Sequence, residues 1–174
     1  MKNPITTLLE EHATLSKAIS IARKVQKVND EITYRELMHN LIIFFRNFTE
    51  FHHHPKEEDI LYPLLRNRTE NMTEEFVHEI CDNHEDFKVA IAEMETHYVN
   101  YNTVMLRKIM DNYLDCYEKH ILEENKVVLE VASGLISDDE KTMINNEFLM
   151  LEKNKRLNSK EELNDLLQKI NLAV

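Results

Sequence analysis

The chain of 174 residues is long enough for one domain with a real core, and its 43% hydrophobic content, one glycine and three prolines leave little material for hairpins or strand turns. A formal charge of −11 excludes the concentrated lysine and arginine that nucleic acid or anionic lipid would require. No stretch reaches the ~18 apolar residues of a membrane span, a glutamate pair interrupts the N-terminus before any signal-like run, and Cys81 and Cys116 lack a CxxC spacing, so the composition reads as a cytoplasmic, almost purely helical protein with reduced thiols.

Asn3 before Pro4 resembles an N-cap with proline at the first helical position, and Ile5, Leu8, Leu15, Ile19 and Ala22 follow at helical spacing, predicting a first helix to about Val28. Thr33-x-x-Glu36 fits a capping box for a second helix, through Leu37, Leu41, Phe44, Phe45 and Phe48 to about Arg66. Asn71-x-x-Glu74 can open a third, with Val77, Ile80, Cys81, Phe87, Ile91 and Met94 as its stripe. The polar break Asn100 to Thr103 starts a fourth, which Gly134 is expected to end. Short connections between long helices force antiparallel neighbours, so the predicted fold is all-α: an up-down-up-down four-helix bundle over residues 1–134. Ser137-x-x-Glu140 and Ser159-x-x-Glu162 announce further helices in a C-terminal extension, residues 135–174, that packs on the bundle or on a partner, including a second copy of the chain.

The chemistry lies in two echoing pairs. His53 and Glu57, near the end of the second helix, and His120 and Glu124, near the end of the fourth, each put an imidazole and a carboxylate one turn apart on a single face. His12 shares a stripe with Ile5, Leu8 and Ile19, and His84 shares one with Val77, Ile80 and Ile91. In an antiparallel bundle the starts of helices 1 and 3 lie at the same pole as the ends of helices 2 and 4. At a rise of ~1.5 Å per residue, all six groups then fall in a slab ~8 Å thick, the reach of a dinuclear metal centre. Four buried imidazoles and two buried carboxylates without partners would cost several kcal/mol for each charged group, and a cation removes the conflict. Mixed nitrogen and oxygen donors suit iron, manganese or zinc.

The stretch from Phe51 to Leu65, FHHHPKEEDILYPLL, raises a question of phase. Phe44, Phe48 and Phe51 define one helix face, whereas His53, Glu57, Ile60 and Leu64 define another nearly opposite. Pro55 between them deletes a backbone hydrogen bond and can rewind the helix locally, so that the ligands turn inward; Pro63 is expected to disturb it again. The pair His54 and Glu58 aligns better with the upstream phenylalanines and remains an alternative. His52 and His54 are otherwise expected behind the ligands or at the surface, and Lys56 with Glu58 as a solvated pair.

LLEEHATL around His12, HHHPKEEDILYP, NHED around His84 and HILEENKVV in the fourth helix together resemble the hemerythrin-like, or HHE cation-binding, family, the bacterial non-haem di-iron type included, over residues 5 to 132. The resemblance implies a four-helix bundle with a di-iron centre bridged by carboxylates, here Glu57 and Glu124, with manganese or zinc as substitutes. Oxygen carriers of the family have five histidines, with HxxxH in helix 3 and HxxxxD in helix 4; this chain has Lys88 and Asn125 at those positions. Four histidines therefore carry over, leaving one iron a looser shell completed by water, Tyr113 or Tyr117. His78 lies ~120° round the helix from His84 and would need a local distortion to contribute. An open coordination position favours binding or reducing a small oxidant (oxygen, peroxide or nitric oxide) over clean reversible carriage. The family also implies an iron donor that repairs damaged iron centres, or an iron- or oxygen-sensing interaction module, and the sequence leaves open whether the chain is an enzyme. No catalytic serine or cysteine triad is evident.

Overall fold

The computed structural model describes residues 3–66, 68, 74–153 and 158–174 and is all-α: an antiparallel up-down-up-down bundle of four long helices carrying two additional C-terminal helices. Helix α1 is Pro4–Val25; the Asn3 side chain accepts from the Ile5 amide at 3.0 Å, and Pro4 occupies the first turn, where no amide is needed. It stops short of Val28 because the carbonyls of Gln26 and Val28 accept from the Arg107 guanidinium, at 2.6 and 2.8 Å. The expected capping box at Thr33 does not form. Asp30 caps instead, accepting from the Thr33 amide at 2.8 Å, and α2 starts earlier, at Glu31.

Helix α2 spans residues 31–65 but changes winding twice. Glu31–Phe48 is α-helical, Thr49–His53 is a π-helical turn, His54–Lys56 is α-helical, Glu57–Leu61 is a second π-turn, and Tyr62–Leu65 closes the helix. The His54 amide reaches back to the Thr49 carbonyl and the Tyr62 amide to that of Glu57, each one residue before a proline. A π-turn inserts one extra residue and retards the phase of everything after it. Helix α3 is Glu74–Val99; the predicted cap at Asn71 lies outside the described residues. Tyr101 adopts a positive φ of 55° in the connection, and the Asn102 side chain then caps α4 by accepting from the Met105 amide at 3.2 Å.

Helix α4 is built from Thr103–Glu123, a π-turn at Glu124–Leu129, and Glu130–Leu135. This third π-turn has no proline behind it, so proline is not required for the change of winding. Gly134 does not end the helix as expected: it stays helical with negative φ, and the chain leaves α4 at Ile136. Helix α5 (Asp138–Lys153) opens on a reciprocal Ser137–Glu140 box and α6 (Lys160–Leu172) on a Ser159–Glu162 box.

Bonds between helices define the topology. Late α1 meets early α4 through Gln26 and Asp111, whereas early α1 meets late α4 through His12 and Asn125. Early α2 meets late α3 through Arg35 and the Tyr98 carbonyl, and late α2 meets early α3 through Glu58 and His84. The extension packs on the bundle of its own chain. Leu163, Leu167 and Ile170 of α6 join an apolar cluster with Phe44, Phe45, Tyr113 and Tyr117, while Ile144 and Phe148 of α5 join a second with Leu8, Leu61 and Val128. Between these two clusters lies a buried polar layer. Among the described residues no helix is long and apolar enough to cross a membrane.

Candidate metal centre

The layer between the two apolar clusters contains His12 from α1, His53, His54 and Glu57 from α2, His84 from α3, and His120 and Glu124 from α4, none more than 4% exposed. The π-turns put them there. After Glu124, a regular helix would carry Val127, Val128 and Val131 inward; with one residue inserted, Val128, Leu129 and Ala132 are buried and Val127 is not. In α2 the same shift takes the apolar stripe from Phe48 to His53, then to Glu57, Leu61 and Leu65.

Two imidazole pairs face each other. The Nε2 atoms of His12 and His53 are 3.0 Å apart, and those of His84 and His120 are 2.9 Å apart. Both carboxylates sit between the pairs. Glu57 approaches Nε2 of His12 at 3.6 Å, His53 at 3.5 Å and His84 at 3.9 Å; Glu124 approaches His12 at 3.2 Å, His84 at 3.7 Å and His120 at 3.2 Å. The donor atoms of His12, His53, Glu57 and Glu124 all lie within 4.8 Å of one another, and so do those of His54, His84 and His120.

The outer nitrogens are committed elsewhere. His12 Nδ1 pairs with Asn125 Oδ1 at 2.7 Å, His53 Nδ1 with Glu11 Oε2 at 3.1 Å, and His84 Nδ1 with Glu58 Oε1 at 2.6 Å. Because these acceptors engage Nδ1, the Nε2 atoms are the ones left to face one another across the layer. Neither oxygen of Glu57, nor Oε2 of Glu124, receives a well-aligned donor from the described residues. Buried acceptors are rarely left so, and imidazole nitrogens grouped with bare carboxylate oxygens are donors that could hold a cation.

The carboxylates of the layer favour positive charge beside them. Burial works against charge on His12, but the carboxylates of Glu124 and Glu57 outweigh it and push that imidazole up to about 10. Burial likewise opposes His84, which Glu124 and Glu58 raise to about 9. Glu124 is held well below the usual carboxylate range: burial would raise it, yet His120, His12 and His84 surround it. His54 is pushed well below the ordinary imidazole range by burial and then by His84, His53 and His120, which keeps its ring neutral and its lone pair free.

The family model for the hemerythrin HHE cation binding domain matches residues 3–132. The chain belongs to that family. No match is found among the curated proteins or the solved structures. The match covers α1 to α4 of this HHE protein up to Ala132 and ends before α5 and α6.

Several residues stand elsewhere than the sequence suggests. His53 with Glu57 and His54 with Glu58 are not alternatives, because the rewound helix brings all four to the centre: His54 stacks on His84 at 3.8 Å and Glu58 lies behind it. Lys56 is not solvated. It is fully buried, donating to Glu11 and, at 2.7 Å, to Glu152. His78 lies outside the cluster, its ring three-quarters exposed and 3.3 Å from Asp82. The Tyr117 hydroxyl meets His54 Nε2 at 3.0 Å, while Tyr113 stacks on Tyr117 one layer further out and its hydroxyl has no partner among the described residues. Glu11, Tyr62 and Asn125 also belong to the site, beyond the residues that the sequence pattern indicates. Tyr62 donates to Glu124 Oε1, and Glu11 sits in register with Leu8, Leu15, Ala18 and Ala22, so a charge on an apolar stripe was its signal. Tyr62 has as its signal only its place before Pro63 in HHHPKEEDILYP.

Proposed function

We propose that the chain holds two non-haem iron ions and uses them to bind or reduce a small oxidant: oxygen, peroxide or nitric oxide. In this reading His12 and His53 would hold one ion and His84 and His120 with His54 the other, with Glu57 and Glu124 available to both. The observation that carries it is the placement of both carboxylates between the imidazole pairs, each within 3.9 Å of nitrogens on both sides. Imidazole and carboxylate donors without cysteine suit iron, manganese or zinc.

Bound iron supplies one-electron chemistry and a coordination position for the oxidant. The chain's own groups prepare that chemistry. Asn125, Glu11 and Glu58 orient three imidazoles through Nδ1, and Tyr62 fixes the Glu124 carboxylate. Tyr117 offers a hydroxyl at His54, and the apolar clusters on either side exclude water. The burial of every candidate ligand supports retention of the metal, and so an oxidant-handling role over an iron-donating one. The free thiols Cys81 and Cys116 suit a reducing, cytoplasmic setting.

The test is metal analysis of anaerobically purified protein followed by rapid mixing of its ferrous form with oxygen. Two irons per chain and a new near-ultraviolet absorption are expected. Iron-loaded protein whose spectrum oxygen leaves untouched would refute the oxidant reading, and protein that takes up no transition metal would refute the centre itself.

A further inference from the structure

The C-terminal extension reaches the candidate centre with charge. Lys160, at the start of α6, donates to Glu11 and, at 2.5 Å, to Glu152 near the end of α5; Lys56 donates to the same two carboxylates. The four groups alternate in sign and cancel. Glu11 uses its remaining oxygen, Oε2, on His53 Nδ1. One helix position away, His52 Nε2 donates to the Asn158 carbonyl at 2.9 Å. Asn158, Glu152 and Lys160 all lie beyond residue 132, where the family match stops, and the residues they hold flank a candidate ligand.

We infer that Glu152 and Lys160 are positioning residues of the metal centre, steering the Glu11 carboxylate so that it keeps the His53 proton on Nδ1 and leaves Nε2 free for a metal. This rests on the metal reading proposed above. Glu11 has one oxygen for the lysines and one for His53, so its aim depends on how the two ammonium groups share it with Glu152. With Lys160 gone, the carboxylate follows Lys56 alone. With Glu152 neutral, both lysines crowd onto Glu11 and draw it off the imidazole. The hydrophobic docking of α6 is separate, through Leu163, Leu167 and Ile170, which allows the two roles to be tested apart.

The probe is cobalt(II) added to metal-stripped protein and followed by its visible absorption. Lys160→Met is expected to weaken cobalt binding about tenfold, the scale of losing a group that orients a metal ligand, while Lys160→Arg restores it. Leu167→Ala loosens the same helix and is expected to leave cobalt affinity near that of the wild type. Equal losses in Lys160→Met and Leu167→Ala would overturn the inference, because the cluster would then be glue alone. Should Lys160→Met fail to fold, the near-isosteric Glu152→Gln gives the answer in the metal-stripped protein: the His53 ring nitrogen resonances move if Glu11 is steered by the extension and stay put if it is not. That readout needs no metal. If the wild-type protein bound no cobalt, the metal reading would fail while the His53 resonances still decided the role of the extension.

Discussion

Replacing Lys56 by methionine tests the most costly group in the interior. The ammonium is fully buried and surrounded by Glu11, 4% exposed, and the half-buried Glu152. Removing one partner of a buried ion pair typically costs about 3–5 kcal/mol, because the other charge is left uncompensated. Here Glu11 keeps Lys160 and His53, so the lower end applies, about 3 kcal/mol, or about 6–12 °C in Tm for a chain of this size. Urea unfolding followed by circular dichroism, with chelator present so that metal linkage plays no part, gives the number. The double variant Lys56→Met/Glu11→Gln should lose clearly less than the sum of the singles, since each removes what the other needed. A Lys56→Met protein as stable as the wild type, or more so, would mean that releasing the desolvated ammonium outweighs its two pairs, and the account of the cluster would be wrong.

His84→Ala should about halve the iron content measured by elemental analysis, because it strips one side of the layer and leaves His12 and His53 intact; unchanged stoichiometry would argue against two separate ions. Leu167→Ala should cost about 2–5 kcal/mol in the same urea assay, as a truncation inside the packed α2–α6 contact, whereas a near-zero cost would mean that α6 is a loosely held appendage. Glu140 is held at about 2, below the ordinary 4.5, mainly by Arg68, with the Ser137 amide and hydroxyl adding to it. A carboxylate depressed on folding stabilises fully above its unfolded value and loses that contribution as pH falls from 4.5 through 2, so carboxyl NMR should show Glu140 titrating last among the surface glutamates.

Most of the fold was legible because it depends on local chemistry. Asn3-Pro4, Asn102, Ser137 with Glu140 and Ser159 with Glu162 cap helices for reasons contained in a few residues, and the stripes between them follow a period of 3.6. The departures from local rule have causes too. Thr33 lost its cap to Asp30, which can accept from the Thr33 amide itself, and Gly134 stayed helical because nothing at that point requires a positive φ. At the candidate site the wheel fails in a systematic way: each π-turn shifts the register by one residue, which brings His53 and Glu57 inward where a regular helix continuing the Phe44–Phe48–Phe51 face would turn them away. Pro55 hinted at the rewinding in α2, but α4 rewinds without a proline, and no residue of Glu124–Leu129 announces it.

The polar layer has a mechanical consequence. Because it divides the oily interior, a disturbance in one end of the barrel of helices finds, among the described residues, two separate bodies of hydrocarbon and must cross between them along backbones or through the ionic floor. Native-state amide exchange would register this as two blocks of protection opening at different free energies, drawn together when a cation ties the floor, and a single block in the stripped protein would show the ends to be welded by other means.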